Sequence, residues 1–153
     1  MKNLQINLRK ATIDDAKTIA SYNRNMAKET EELELDEENA LKGVQSLFKH
    51  PDYGFYAVAE IEDDIVGSLM VTKEWTDWRN GEFWWIQSVY IRSDYRRLGI
   101  YRKLYEFVKS LADENAIVRG FRLYVHRENY IARKTYHALG MKKTPYRIFE
   151  EIR

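Results

Sequence analysis

The chain contains no cysteine, only two prolines and seven glycines in 153 residues, and almost no net charge (+1). Without cysteine there is no disulfide, no thiolate metal site and no cysteine nucleophile, a pattern that suits a reducing compartment. No apolar run reaches the roughly 18 residues that a membrane span needs. The start, Met1-Lys2-Asn3-Leu4-Gln5, lacks the apolar centre of a signal peptide, so a soluble cytoplasmic protein is expected. No Pro- or Gly-rich linker and no internal repeat divides the chain. At this length about two-thirds of the unfolded surface is buried on folding, enough for one core, so residues 1–153 are read as a single domain.

The small net charge hides an asymmetry. Residues 1–91 carry 10 Lys and Arg against 17 Asp and Glu, while residues 92–153 carry 15 against 7, giving net charges of −7 and +8. Such a division can mark one surface that receives a cation and another that receives an anion, or it can be a chance distribution of solvated charges.

Hydrophobic periodicity predicts the order β α α β β β α β α β. Leu4, Ile6 and Leu8 alternate with Gln5, Asn7 and Arg9 as in a half-buried strand. Thr12 with Asp15 three residues later resembles a capping box and opens a helix to about Met26. Acid-rich Ala27 to Glu38 is expected to be a loop or helix start, followed by a helix from Glu38 to His50 that Pro51 ends. Gly54 to Ile61 and Ile65 to Trp75 flank Asp63-Asp64 as a hairpin, and Phe83 to Ile91 is a further strand after the turn at Arg79-Asn80-Gly81. Tyr101 to Glu114 is helical, with Leu104, Phe107, Val108 and Leu111 on one face. Phe121 to Val125 is a short strand, Tyr130 to Leu139 a helix stopped by Gly140, and Arg147 to Ile152 a last strand. An α/β domain of α+β type, with helices packed on a mixed, mostly antiparallel sheet, fits this order.

Two segments carry chemistry. Ser93-Asp94-Tyr95-Arg96-Arg97-Leu98-Gly99-Ile100-Tyr101 joins a strand to a helix. A glycine turn at a helix start presents backbone N–H groups and the positive end of the helix dipole, the arrangement that binds phosphate, although a single Gly before a helix is also a common structural start. The second segment is Asn129-Tyr130-Ile131-Ala132-Arg133-Lys134-Thr135-Tyr136-His137-Ala138-Leu139-Gly140-Met141. Together they resemble the GNAT superfamily of acyl-CoA-dependent N-acetyltransferases. That family's signature is a strand, then Arg/Gln-x-x-Gly-x-Gly/Ala opening a helix, then an Asn-x-x-Ala-x-x-x-Tyr-x-x-x-Gly helix. The order of elements extends the resemblance over nearly the whole chain.

The resemblance implies a splayed central strand pair and acetyl-CoA as co-substrate, with no metal. It implies that Arg96, Arg97, Leu98, Gly99, Ile100, Tyr101 and Arg102 form the pyrophosphate cradle, with Tyr101 a departure because Gly or Ala is usual there. By the same resemblance the backbone of Val89 and Ile91 receives the pantetheine arm, as an added strand would, and Asn129 bonds a pantetheine amide. Val89 and Ile91 also suit core packing, and Asn129 also suits an N-cap. Tyr136 would protonate the departing thiolate, since a phenol is protonated at neutral pH; a half-buried aromatic on an amphipathic helix is its ordinary alternative.

Ile86-Gln87-Ser88 stands where many members place a carboxylate, so the proton acceptor is open among Glu29, Glu31, Glu74, Asp77, His126 and a water held by Gln87 or Ser88. The acceptor side is read from seven acids between Met26 and Ala40, opposed by Lys28 alone, together with Glu74, Trp75, Trp78, Trp84 and Trp85. Such groups attract and stack on a cation, and equally can be a solvated helix start and core tryptophans. Glu29, Glu31, Glu74, Trp75, Trp78 and Gln87 are the expected acceptor contacts. A small amine, polyamine or lysine side chain is expected, and neither nucleic acid nor membrane. A noncatalytic acyl-CoA sensor and, further off, a nucleic-acid-binding module are the competing readings. The terminal strand and aromatic surface offer edges for a homodimer.

Overall fold

The computed structural model describes residues 4–153. The chain forms two compact units, Met1–Leu123 and Tyr124–Arg153.

In the first unit, strand β1 (Asn7–Lys10) leads through a 3-10 turn (Ile13–Asp15) to helices α1 (Ala16–Glu31) and α2 (Glu37–Lys49). Strands β2 (Gly54–Ile61), β3 (Asp64–Thr76) and β4 (Gly81–Ile91) follow, then a second 3-10 turn (Ser93–Tyr95), helix α3 (Ile100–Asp113) and strand β5 (Val118–Arg122). The five strands form one sheet in sequence order, antiparallel from β1 to β4 and parallel between β4 and β5. This is the expected mixed, mostly antiparallel sheet flanked by helices.

Local chemistry explains the joints. The Thr12 amide donates to Asp15 Oδ2 at 2.8 Å, and the Asp15 carboxylate also takes Arg9 Nη1 at 2.7 Å, while Arg9 reaches Glu60 on β2. One guanidinium thus binds the first turn to the sheet and holds the Asp15 carboxyl below its usual pKa. Asp36 caps α2 by accepting from the Asn39 amide at 2.8 Å. The β2–β3 turn places Glu62 and Asp63 at φ 50° and 66°, the left-handed pair of a tight hairpin.

The sheet is covered on both faces. On one, Ala16, Ile19 and Ala20 of α1 and Val44 of α2 pack with Tyr56 and Val58, with Phe48 and Met70 at the margin. On the other, α3 buries Ile100, Leu104, Tyr105 and Val108. It lies so close to β3 that a Cβ at Gly67 would stand 3.2 Å from Ile100 Cγ2.

Several expectations shift. The first strand spans Asn7–Lys10 rather than beginning at Leu4. The region from Ala27, expected to be a loop or a helix start, instead continues α1 to Glu31, because Ala27 is buried and extends the packed face of that helix by another turn. The strand after α3 is Val118–Arg122, not Phe121–Val125: Glu82 N donates to Ile117 O, which sets the parallel register with β4 earlier.

The second unit holds helix α4 (Tyr130–Ala138). Asn129 caps it, its side chain accepting from the Ala132 amide at 3.1 Å, and Gly140 at φ 91° ends it. No residue of this unit is buried, and residues 141–153 form neither helix nor strand. The expected strand from Arg147 to Ile152 is therefore absent, since a strand exists only where its backbone groups find a partner.

Candidate functional site

The site begins where β4 loses a neighbour. β5 pairs with β4 only from Glu82 to Trp85, whereas β3 pairs with β4 as far as Ile91. The stretch from Ile86 to Ile91 is therefore open on its β5 side, and the expected splay lies between β4 and β5. Within it, Met70 faces Gln87 but Ser68 faces Tyr90, so β4 carries one residue more than β3. Ser88 takes up this bulge at φ 50°. A bulge leaves an extra backbone unit outside the ladder and re-aims the strand. The sequence offers no signal for it, because Ser88 sits inside an unbroken β-prone run.

Beyond Ile91 the chain enters the turn that the sequence reading takes as a phosphate cradle. Arg97 at φ 66° and Gly99 at φ 75° both adopt left-handed backbone, and Gly99 is the N-cap of α3 with no side chain to close it. A Cβ at Gly99 would meet nothing within 4 Å, so the space over the helix start is open. Leu98 is exposed beside it. The amides of a first helical turn have no acceptor four residues back, and the helix dipole makes this end attractive to an anion. The Tyr101 ring stacks on Tyr105, centroids 6.3 Å apart, and so lies along the flank of α3. Its bulk, the one departure from the expected motif, is accommodated there.

Arg96 turns away from the cradle mouth. Its Nε donates to Ile91 O at 2.9 Å, its Nη2 donates to Glu29 Oε2 at 2.7 Å, and its guanidinium lies over the Tyr90 ring. Tyr90 OH is 3.5 Å from Glu29 Oε1, and the Tyr90 ring packs on Tyr22. Arg96 thus joins the end of β4 to α1. Arg102 pairs with Glu106 one turn along α3.

On the α1 and α2 face of the sheet, a polar row lies beside the splay. Gln87 Nε2 donates to Thr72 Oγ1, and Trp85 Nε1 donates to Glu74 Oε2. Arg122 Nη1 reaches Glu74 Oε1 at 3.3 Å and stacks its guanidinium 3.7 Å from the Phe83 centroid. Glu74 is thereby held between an indole and a cation, a contact that the sequence did not foretell because Arg122 is remote in the chain.

The expected acceptor residues do not all gather here. Glu74 and Gln87 do. Glu29 sits with Arg96 at the Ile91 end of β4, roughly 13 Å along the strand from Gln87. Glu31 is exposed at the end of α1. Trp75 and Trp78, 58% and 85% exposed, stand at the β3–β4 tip, Trp75 roughly 17 Å along β3 from the residue opposite Gln87. Trp84 is core, packed edge-on to Phe55 and Phe121. Val89 and Ile91 lie on the open stretch, partly buried.

In the second unit, Asn129 is occupied as the cap of α4, and Tyr136 is half-buried on that helix. Burial pushes the Tyr136 phenol above its ordinary value. His126 Nδ1 accepts from the Glu128 amide. Among the described residues, no cluster of three or more His, Asp or Glu is placed to hold a metal ion, and no helix is long and apolar enough to cross a membrane.

A sheet opened along one strand, with an uncapped helix start at the end of the opening, is the architecture of a transferase that takes an extended, phosphate-bearing donor. The acetyltransferase (GNAT) family model matches residues 16–141, and the chain belongs to that family. A solved structure of a possible acetyltransferase from Clostridium difficile 630 is 44% identical, covers 98% of each chain and has a TM-score of 0.90. A predicted acetyltransferase with acetyl-CoA from Clostridium acetobutylicum shares the fold at 18% identity, with 96% of each chain covered and a TM-score of 0.80. So does the aminoglycoside N-acetyltransferase AAC(6')-Iy in complex with CoA, at 16% identity, 99% and 97% coverage and a TM-score of 0.77. No curated protein matches the sequence.

Proposed function

We propose that the protein moves the acetyl group of acetyl-CoA to a primary amine by direct attack. The observation that carries this reading is the open stretch of β4 leading into the uncapped, left-handed Gly99 start of α3. The amides of the Arg97–Arg102 turn are suited to the phosphates, and the backbone at Val89 and Ile91 to the amide-bearing arm, as a strand added to an edge. Acetyl-CoA and CoA in two proteins of the same fold support the choice of donor.

The acceptor is a small amine, a polyamine or a lysine side chain. The acids from Glu29 to Glu38 attract a cation, and Gln87 on the splay side is suited to hold the water that takes the ammonium proton. The neutral amine nitrogen then bonds to the thioester carbon, and the C–S bond breaks as the tetrahedral intermediate collapses. The sulfur leaves as the thiol, and the resemblance assigns its proton to Tyr136, a phenol that is protonated at neutral pH and that burial holds further toward that form. The distance of Glu29 from Gln87 along the strand favours Glu29 as a positioning residue for the cradle rather than as the proton acceptor.

Acetyl-CoA turnover over a panel of amines, with the native chain and Tyr136→Phe, tests the reading. Turnover on at least one amine is expected, with kcat lowered about 100-fold in the variant and KM for acetyl-CoA little changed. CoA binding without turnover on any amine would instead mean a noncatalytic acyl-CoA sensor.

A further inference from the structure

We propose that Arg122 receives a carboxylate on the acceptor, so that among amines the protein favours long ω-amino acids, acetylated at the end remote from the carboxylate. This rests on the reading that the chain acetylates a primary amine, and it names the class of amine. Arg122 and Gln87 share one face of the sheet, because Arg122 stands beside Trp85, and Trp85 and Gln87 are two residues apart on β4. The strands at the splay supply little other positive charge to that face. β4 has no Lys or Arg, and Lys73 of β3 pairs with Trp84 and so lies on the opposite face. Arg119, at the bulge of β5, is spent on the carbonyls of Arg79, Asn80 and Ala116.

A guanidinium has five N–H donors. Among the described residues Arg122 uses one of them, on Glu74 Oε1 at 3.3 Å, while its guanidinium lies 3.7 Å from the Phe83 centroid. Arg9 shows that one guanidinium of this chain can hold two carboxylates at once, Asp15 and Glu60. Arg122 holds one and has the donors for a second. Its side chain is 27% exposed, open enough to be reached and covered enough for a charge-assisted bond to gain from reduced solvent screening. Glu74 has both oxygens engaged, one by the Trp85 indole and one by Arg122, and so orients the guanidinium. Along β4, Gln87 is roughly 7 Å from Trp85, beside Arg122, and roughly 13 Å from Phe83, over which the guanidinium lies. The amine and carboxylate of an α-amino acid are too close together to reach both places, whereas the two ends of 6-aminohexanoate are not.

Acetyl-CoA turnover with 6-aminohexanoate and with 6-aminohexanamide tests this in the full chain, because the two differ in the charge at the end remote from the amine. The native protein is expected to use the carboxylate with a kcat/KM about 10-fold or more above that of the amide, the difference lying mostly in KM. 3-Aminopropanoate, with the same two groups closer together, is expected to fall well below 6-aminohexanoate. Arg122→Gln is expected to bring the ratio of carboxylate to amide down to about one or below, and Arg122→Lys, which keeps the charge without the fork, to retain part of it. A merely structural role for Arg122 would lower both amines together and leave the ratio standing. Equal use of the two six-carbon amines by the native chain overturns the assignment, as does a preference that Arg122→Gln leaves intact. Absence of turnover on every amine overturns the acetyl-transfer reading itself, whereas turnover without preference overturns the role of Arg122 alone.

Discussion

Arg96 Nη2 donates to Glu29 Oε2 at 2.7 Å, tying the turn before α3 to the last turn of α1. The pair is remote in sequence and joins the acidic segment to the basic one. With Arg122 and Glu74, it is one of two ion pairs among the described residues through which the basic half of the chain meets the acidic half.

Both side chains of the pair are a little over 40% exposed, so solvent screens it and its contribution is at most about 1 kcal/mol. Glu29→Gln is expected to raise KM for acetyl-CoA by no more than about fivefold and to leave kcat and the shape of its pH profile unchanged. Steady-state kinetics across pH check this. Loss of the acidic limb together with a large fall in kcat would instead make Glu29 the proton acceptor.

Gly99→Ala places a Cβ on backbone at φ 75°, which costs about 1 kcal/mol for an L residue even though the space around it is open. Urea denaturation is expected to show a loss of that size. Calorimetry is expected to show CoA binding weakened by about tenfold or more, because the methyl group stands at the helix start where the phosphates are to approach. Unchanged affinity would remove Gly99 from the cradle.

Burial alone pushes the Tyr56 phenol up to about 12. Tyr22 and Tyr105 are also raised, chiefly by burial. In the unfolded chain these phenols ionise near the ordinary value of about 10, so the unfolded state loses protons first. Stability is therefore expected to be fully retained below about pH 10 and to fall as pH rises from there toward 12. Chemical denaturation across that range, comparing the native protein with Tyr56→Phe, measures it. The variant's stability is expected to decline less steeply.

Some of this was legible one residue at a time. Gly99 before a helical period, Asn129 ahead of a helix and Gly140 behind it are local signals, because caps and left-handed turns are decided by the residues themselves. The order of elements was legible too, since periodicity needs only neighbours along the chain. The end of α1 was misjudged at Ala27 because acidic composition resembles a loop, whereas burial of Ala27 against the core prolongs the helix. Trp75 and Trp78 read as pocket residues by composition, but the β3–β4 register carries them to the tip.

The amino-acid sequence by itself determined the family, the glycine turn before α3 and the order of the elements through α4. Only the tertiary structure decided where β5 leaves β4, that Ser88 forms a bulge, that Arg96 faces Glu29, and that Arg147–Ile152 forms no strand. The reason is physical. A helix closes its hydrogen bonds within four residues, whereas a strand and an ion pair depend on partners brought from distant parts of the chain.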